Sequence, residues 1–208
     1  ICNYLALLGW SPGDDRENIT MEELVQLFTV ERVNSSPARF DMKKLEAING
    51  DKIRALTIDD FLTRALPFLV KDGIIQGSDA EIAVVKSALP IIQERIARMN
   101  EVTAMLKFLF VEKVTFDAES SSKVGEEPSQ HVIKRALEVL QPLGEWKHDL
   151  IEAELRKALL DEMGLKPRVA FGPVRIAVTG SHISPPLFES MELLGKERSI
   201  ARLTAAIR

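Results

Sequence analysis

The chain has 208 residues, 46% hydrophobic and 28% charged, with a formal net charge of −4. That length suits one large domain or two to three small ones, and folding can bury roughly 70% of the unfolded chain's surface. The composition excludes a disordered or low-complexity polymer, and charge-free stretches such as 1–13 and 176–188 fall short of the ~20 apolar residues that span a bilayer as a helix.

In chain order the pattern reads as helix after helix. The chain opens at Ile1, without a methionine and inside a run that reads as helical, so a piece of something longer is expected. Cys2, the single cysteine, has no partner for an internal disulfide, and no secretory signal opens the chain; both point to a reducing cytoplasm. Thr20 and Glu23 have capping-box spacing ahead of Leu24, Val25, Leu27 and Phe28. Asp41 can cap a helix carrying Leu45 and Ile48, which Asn49-Gly50 is expected to stop. Thr57 with Asp60, and Ser78 with Glu81, repeat the start signal. Pro67 and Pro90 should kink or break their helices, because proline lacks the backbone donor and clashes with the preceding turn. Further helices are expected at 91–99, 101–110, 130–140 and 148–163, the last closed by Gly164. No long polar/apolar alternation occurs, so the expected class is all-α with strands at most minor.

Asn34-Ser35-Ser36-Pro37 reads as a turn cluster, and 117–129, with three consecutive serines, Gly125 and Pro128, as the best linker. The chain then divides into a first segment to 57, a helical domain at 58–116 and a second at 117–208. From Lys166 onward there are seven Lys/Arg against three Asp/Glu, on an otherwise acidic chain. A basic end of that kind is either a polyanion footprint or ordinary surface variation.

No catalytic constellation stands out. His131, His148 and His182 lie in different segments. His148 and Glu152, four apart on a helix, could share a metal, but a third ligand is not in sight, and a solvated helix face explains them better. Thr179-Gly180-Ser181 is not a phosphate loop. Lone Arg175 within Val174–Val178 is out of place on an apolar stretch and must find a partner or a ligand. On its residues the chain is a binding piece, with no catalytic or metal-ligating set.

Several blocks in order carry a resemblance. Asn3-Tyr4-Leu5-Ala6-Leu7-Leu8-Gly9-Trp10-Ser11, Phe28-Thr29-Val30-Glu31-Arg32-Val33-Asn34, Phe40-Asp41-Met42-Lys43-Lys44-Leu45, Ile48-Asn49-Gly50-Asp51-Lys52-Ile53-Arg54 and Val174-Arg175-Ile176-Ala177-Val178-Thr179-Gly180 form the series. Ser184-Pro185-Pro186-Leu187-Phe188-Glu189 and Leu193-Leu194-Gly195-Lys196-Glu197-Arg198 complete it. The series resembles the tRNA-binding half of bacterial glutamyl-tRNA synthetases, class I aminoacyl-tRNA synthetases, over essentially the whole chain.

The resemblance implies the end of a stem-contact domain at 1–57, then two helical anticodon-binding domains, an α-helix cage where the related glutaminyl enzymes have β-barrels. It implies a full-length cytoplasmic, monomeric ligase that joins glutamate to tRNA(Glu), with tRNA(Gln) a second candidate, using ATP and magnesium. No membrane or DNA partner is implied. The His-x-Gly-His-type and Lys-Met-Ser-Lys-Arg-type motifs of the family's nucleotide-binding domain do not occur here, so this chain should be inactive without its catalytic domain.

Residue by residue, Arg95 matches the family's reader of the third anticodon base and Arg175 a reader of the first. Ser184 stands where another member has a base-contacting threonine. Arginine suits the work, because its planar fork donates fixed hydrogen bonds and also stacks. Lys196 and Arg198 are candidates for the RNA backbone, although a helix end explains them equally well. Trp146, Phe108 and Phe110 read as core. The alternative from another class is a helical protein-interaction module that does not bind RNA.

Overall fold

A computed structural model describes residues 1–34 and 38–208. Ser35, Ser36 and Pro37 of the expected turn cluster lie outside the described residues. Among the described residues there are twelve α-helices and no strand, as the pattern predicts. They are α1 (Cys2–Leu7), α2 (Met21–Leu27), α3 (Met42–Arg54), α4 (Ile58–Lys71), α5 (Asp79–Gln93) and α6 (Glu101–Phe110). Then follow α7 (Ala118–Gly125), α8 (Glu127–Leu140), α9 (His148–Leu155), α10 (Pro167–Thr179), α11 (Leu187–Leu194) and α12 (Lys196–Ala206). A short 3-10 turn occupies Val30–Arg32, and α9 runs on into a π-helical stretch, Arg156–Glu162.

The start signals act as expected. Thr20–Glu23 and Ser78–Glu81 form reciprocal capping boxes, Asp41 accepts from the amides of Lys43 and Lys44, and Thr57 from that of Asp60.

Three expectations about element boundaries need correction. Asn49-Gly50 does not stop α3, which runs on to Arg54. Asn49 Nδ2 instead donates to the Ala97 carbonyl at 2.5 Å, and Gly50 is buried, so the pair serves packing. The end of α3 is closed from a distance, by Gln93 Nε2 donating to the carbonyls of Ile53 and Leu56, each at 2.9 Å. Of the two outcomes expected at Pro67 and Pro90, a break does not occur, since α4 and α5 run through them. Each proline and the residue four before it, Thr63 and Lys86, are exposed, so the carbonyl deprived of a donor faces water.

No helix spans 91–99: α5 ends at Gln93, and turns follow. Glu101 takes the amides of Ala97 and Arg98 at 2.9 and 3.4 Å, which starts a new helix there. The supposed linker at 117–129 is α7 and the first turn of α8. Asp117 caps α7 by accepting from the Ser120 amide at 2.7 Å, and Pro128 sits in the first turn of α8, where it is tolerated.

Two hydrophobic cores result among the described residues. A small one gathers Trp10, Ile19 and Leu24. A large one runs without interruption from Ile53 to Ala206. Within it α4, α5 and α6 pack together; α8 packs on α10 and α12, and α11 bridges back to α5.

Arg202 on α12 is buried, and burial pushes its pKa down to about 10, which leaves it a cation at neutral pH. It has no acidic partner among the described residues. Its Nη1 donates to the Val178 carbonyl at 2.7 Å, and Nη2 to those of Phe108 and Val111 at 2.8 and 2.6 Å. One side chain thus satisfies the open carbonyl ends of α6 and α10.

Candidate nucleic-acid interface

Helix α10 ends at Gly180, whose φ of +82° is left-handed and whose missing Cβ would come within 3.1 Å of the Thr115 carbonyl. Glycine is therefore required, and it turns the chain so that 181–186 folds back beside α10. Ser184 in that return is buried. Arg175, half-buried, reaches across: its Nη1 donates to Ser184 Oγ at 2.7 Å and to the Pro185 carbonyl at 2.5 Å. Its Nε and Nη2 make no hydrogen bond among the described residues.

The guanidinium is thus held at one end and open at the other. Among the described residues no carboxylate forms an ion pair with it. Burial lowers its pKa, the nearby Arg95 lowers it further, and Glu189 partly restores it. Two guanidinium groups brought together without an acid between them leave a site whose missing partner is anionic or rich in acceptors.

Arg95 comes from the other side, on the exposed turn just after α5 rather than on a helix. Among the described residues its side chain has no ion pair; neighbouring Glu94 faces Arg54 at 4.0 Å, and Arg98 pairs with Glu101 at 3.0 Å. Arg95, Arg175 and Ser184 line one open cavity of about 450 Å3, with Met105, His182 and Ile183. Ile183 is 64% exposed. One anchored and one exposed cationic donor beside an exposed apolar side chain suit an unstacked base, whose edge presents acceptors and whose face needs cover from water.

The structure does not bring Lys196 and Arg198 to that cavity. Lys196 Nζ donates to the Leu143 carbonyl at 2.6 Å, and Arg198 to the carbonyls of Leu109 and Val111 at 2.9 and 2.7 Å. Trp146 Nε1 donates to the Met191 carbonyl at 2.7 Å, so its ring is anchored in the fold; Phe108 is buried and Phe110 half-buried. His148 and Glu152 diverge: His148 Nδ1 lies 2.6 Å from Glu192, and Glu152 pairs with Arg156. Among the described residues no cluster of three His, Cys, Asp or Glu could hold a metal.

Sequence reasoning missed His182, Ile183 and Met105. The signal available was an isoleucine stranded among turn-forming residues directly before Ser184.

A family model described as an anticodon binding domain matches residues 60–207. The chain belongs to the anticodon binding domain family. It is 45% identical over 210 residues to the glutamate–tRNA ligase of Saccharopolyspora erythraea, with all of this chain and 42% of that protein aligned. Against the glutamate–tRNA ligase of a Nocardioides species it is 46% identical over 211 residues, all of this chain and 43% of the relative. A solved glutamate tRNA ligase from Elizabethkingia meningosepticum, in complex with its amino acid, shares the fold, with a TM-score of 0.77, 24% identity, and coverage of 99% of this chain and 40% of that one. The glutamate-tRNA synthetase of Elizabethkingia anophelis gives a TM-score of 0.74 at 25% identity, covering 99% of this chain and 39% of that one. The chain thus spans about two fifths of the length of the proteins it matches.

Proposed function

We propose that this chain is the tRNA-recognition portion of a glutamate–tRNA ligase, and that the cavity between Arg95, Arg175 and Ser184 receives anticodon bases. The observation that carries this reading is the meeting of two arginines, distant in sequence and without an ion pair among the described residues, across one cavity. The full enzyme would attach glutamate to tRNA(Glu), with tRNA(Gln) a second candidate, using ATP and magnesium bound elsewhere, as a cytoplasmic monomer. Residues 1–57 would close the stem-contact domain, 58–116 would carry Arg95, and 117–208 would carry Arg175 and Ser184. Lys196 and Arg198 enter this reading mainly as anchors of the fold.

Titration with unmodified tRNA(Glu) transcripts at several salt concentrations tests it. Binding should weaken linearly on a log–log plot, by about 0.7–0.9 in slope for each phosphate contacted. The exposed apolar residues before residue 43 favour the alternative, a protein-interaction module, which expects no salt-dependent binding at all. That outcome would overturn the RNA reading.

A further inference from the structure

Beside the cavity just described lies a second groove of about 650 Å3, between the α7–α8 junction and α10. We propose that it holds the base of the nucleotide adjacent to the one faced by Arg175 and Ser184; this rests on the RNA-binding reading above. The two spaces share Arg175 and His182 in their walls. A strand that seats one nucleotide in the first is therefore led past these two side chains into the second.

The groove's wall on α10 is apolar and partly bare. Val169 is 50% exposed, and Phe171 and Pro173 lie beside it. Phe171 is fixed by an edge-on contact with Phe188 at 5.3 Å between centroids and by the Arg156 guanidinium 5.8 Å from its ring. A preset apolar wall of this kind takes the flat face of a base at little ordering cost.

Charge decides which part of the nucleotide enters. Glu126 on the opposite wall disfavours a phosphate inside the groove, and Lys123 is already paired with Glu119 at 2.6 Å. Arg168 at the rim is exposed and has no ion pair or hydrogen bond among the described residues. The neutral base thus lies inside, and its phosphate lies at the Arg175 end of the shared ridge, away from Asp117 and Glu119, which face His182.

The test is a binding cycle with this chain and an RNA hairpin carrying the tRNA(Glu) anticodon loop, intact or with one abasic loop position at a time. The protein variants are Arg168→Glu combined with Val169→Asp, both exposed, with Arg168→Ala as the milder substitution should the pair disturb folding, and Arg175→Ala as a reference. The paired substitution should weaken binding of the intact hairpin about tenfold, the range of one base stacked on protein. One abasic position next to the base facing Arg175 should cost the wild type a similar factor and cost the variant almost nothing more. Equal losses at every abasic position would show that the rim holds only phosphate, and would overturn the proposal. If Arg175→Ala weakens binding while the groove substitutions leave it unchanged, the groove is wrong and the RNA reading stands. If neither has any effect, the RNA reading itself fails.

Discussion

The first 42 residues and the region from Ile53 onward are held together differently. The first has a small core of Trp10, Ile19 and Leu24, with Ala6, Leu7 and Leu27 packed against it, whereas the second has one core running through to Ala206. Nine of the fourteen large apolar side chains exposed among the described residues lie before residue 43, Val25 and Val30 at more than 70%. Order in the first region depends on a few polar ties: Asn3 to the backbone of Glu17 and Ile19 at 2.9 Å each, and the Asp41 amide to the Tyr4 hydroxyl at 2.6 Å. Lys52 holds this region to α3 through the Ile19 carbonyl at 2.7 Å. A region with few buried contacts opens at low free-energy cost, so the two should differ in local stability and not only in composition.

The sharpest way to break that contrast is to truncate one residue in each core. Leu106→Ala removes a side chain with no exposure and should cost about 2–5 kcal/mol. Urea unfolding followed by far-UV circular dichroism should show the main transition shifted. Leu24→Ala should leave that transition nearly in place and remove hydrogen-exchange protection only in α1, α2 and their connection. If it lowered the main transition as much as Leu106→Ala, the two regions would be one cooperative unit.

A second probe asks how the large core tolerates charge. Arg202→Met keeps length and apolar contact but leaves the carbonyls of Val178 and Phe108 without a donor, while Val111 retains Arg198. Unpartnered buried acceptors cost about 1–3 kcal/mol, which at this size is roughly 2–4 °C in Tm per kcal/mol. An unchanged Tm would mean that water reaches those carbonyls.

Much of this was legible in the sequence. Capping residues act locally, so Thr20, Asp41, Thr57 and Ser78 mark helix starts without knowledge of the fold. The failures share a cause. Asn49-Gly50 and the serines of α7 were read as breakers from intrinsic preference, and neighbours overrode it. Arg175 could be singled out because a charge among Val174–Val178 is locally inconsistent. The internal use of Lys196, Arg198 and Arg202 could not, because the carbonyls they bind lie 24 to 94 residues away.

Within the large-core region the arginines should separate RNA binding from stability. Arg175→Ala loses a charged donor and should weaken tRNA binding by about 1–3 kcal/mol, measured by titration at fixed salt. Leu24→Ala, far from the cavity, should leave that affinity alone. A drop in Tm with unchanged tRNA affinity would reduce Arg175 to a clamp for Ser184 and Pro185.

Arg95→Gln should act on selectivity more than on affinity. Arg95 is exposed and unpaired among the described residues, so its loss should leave Tm unchanged. Glutamine keeps some hydrogen bonding but lacks the charge and the fork. Discrimination at the third anticodon base should fall by about one order of magnitude, for roughly 1.4 kcal/mol. Two transcripts differing only at that base provide the measurement. Equal weakening of both would assign Arg95 to the backbone.

The smallest expected effect concerns the rim of the large core, where α9 meets α11. Glu192 accepts from both the backbone amide and Nδ1 of His148, at 2.7 and 2.6 Å. The hydrogen bond to Glu192 raises the His148 pKa above its ordinary 6.5, and the same contacts lower that of Glu192 from 4.5. For a histidine with a raised folded value, the stabilisation is fully present below the unfolded value and fades as pH rises through the folded one. For the carboxylate the sign is opposite, and its contribution fades as pH falls through its lowered value. The pair should therefore stabilise most between the two ordinary values, 4.5 and 6.5, and lose that contribution beyond them on either side. Both side chains are solvent-accessible, at 53% and 29%, so the effect is small and salt-sensitive. His148→Gln retains the backbone amide bond to Glu192 and removes only the titrating partner. Its melting temperature should therefore fall less than the wild type's as pH rises above 6.5, with the difference shrinking in high salt. Parallel pH profiles for the two proteins would show that Glu192 serves α9 through its backbone alone.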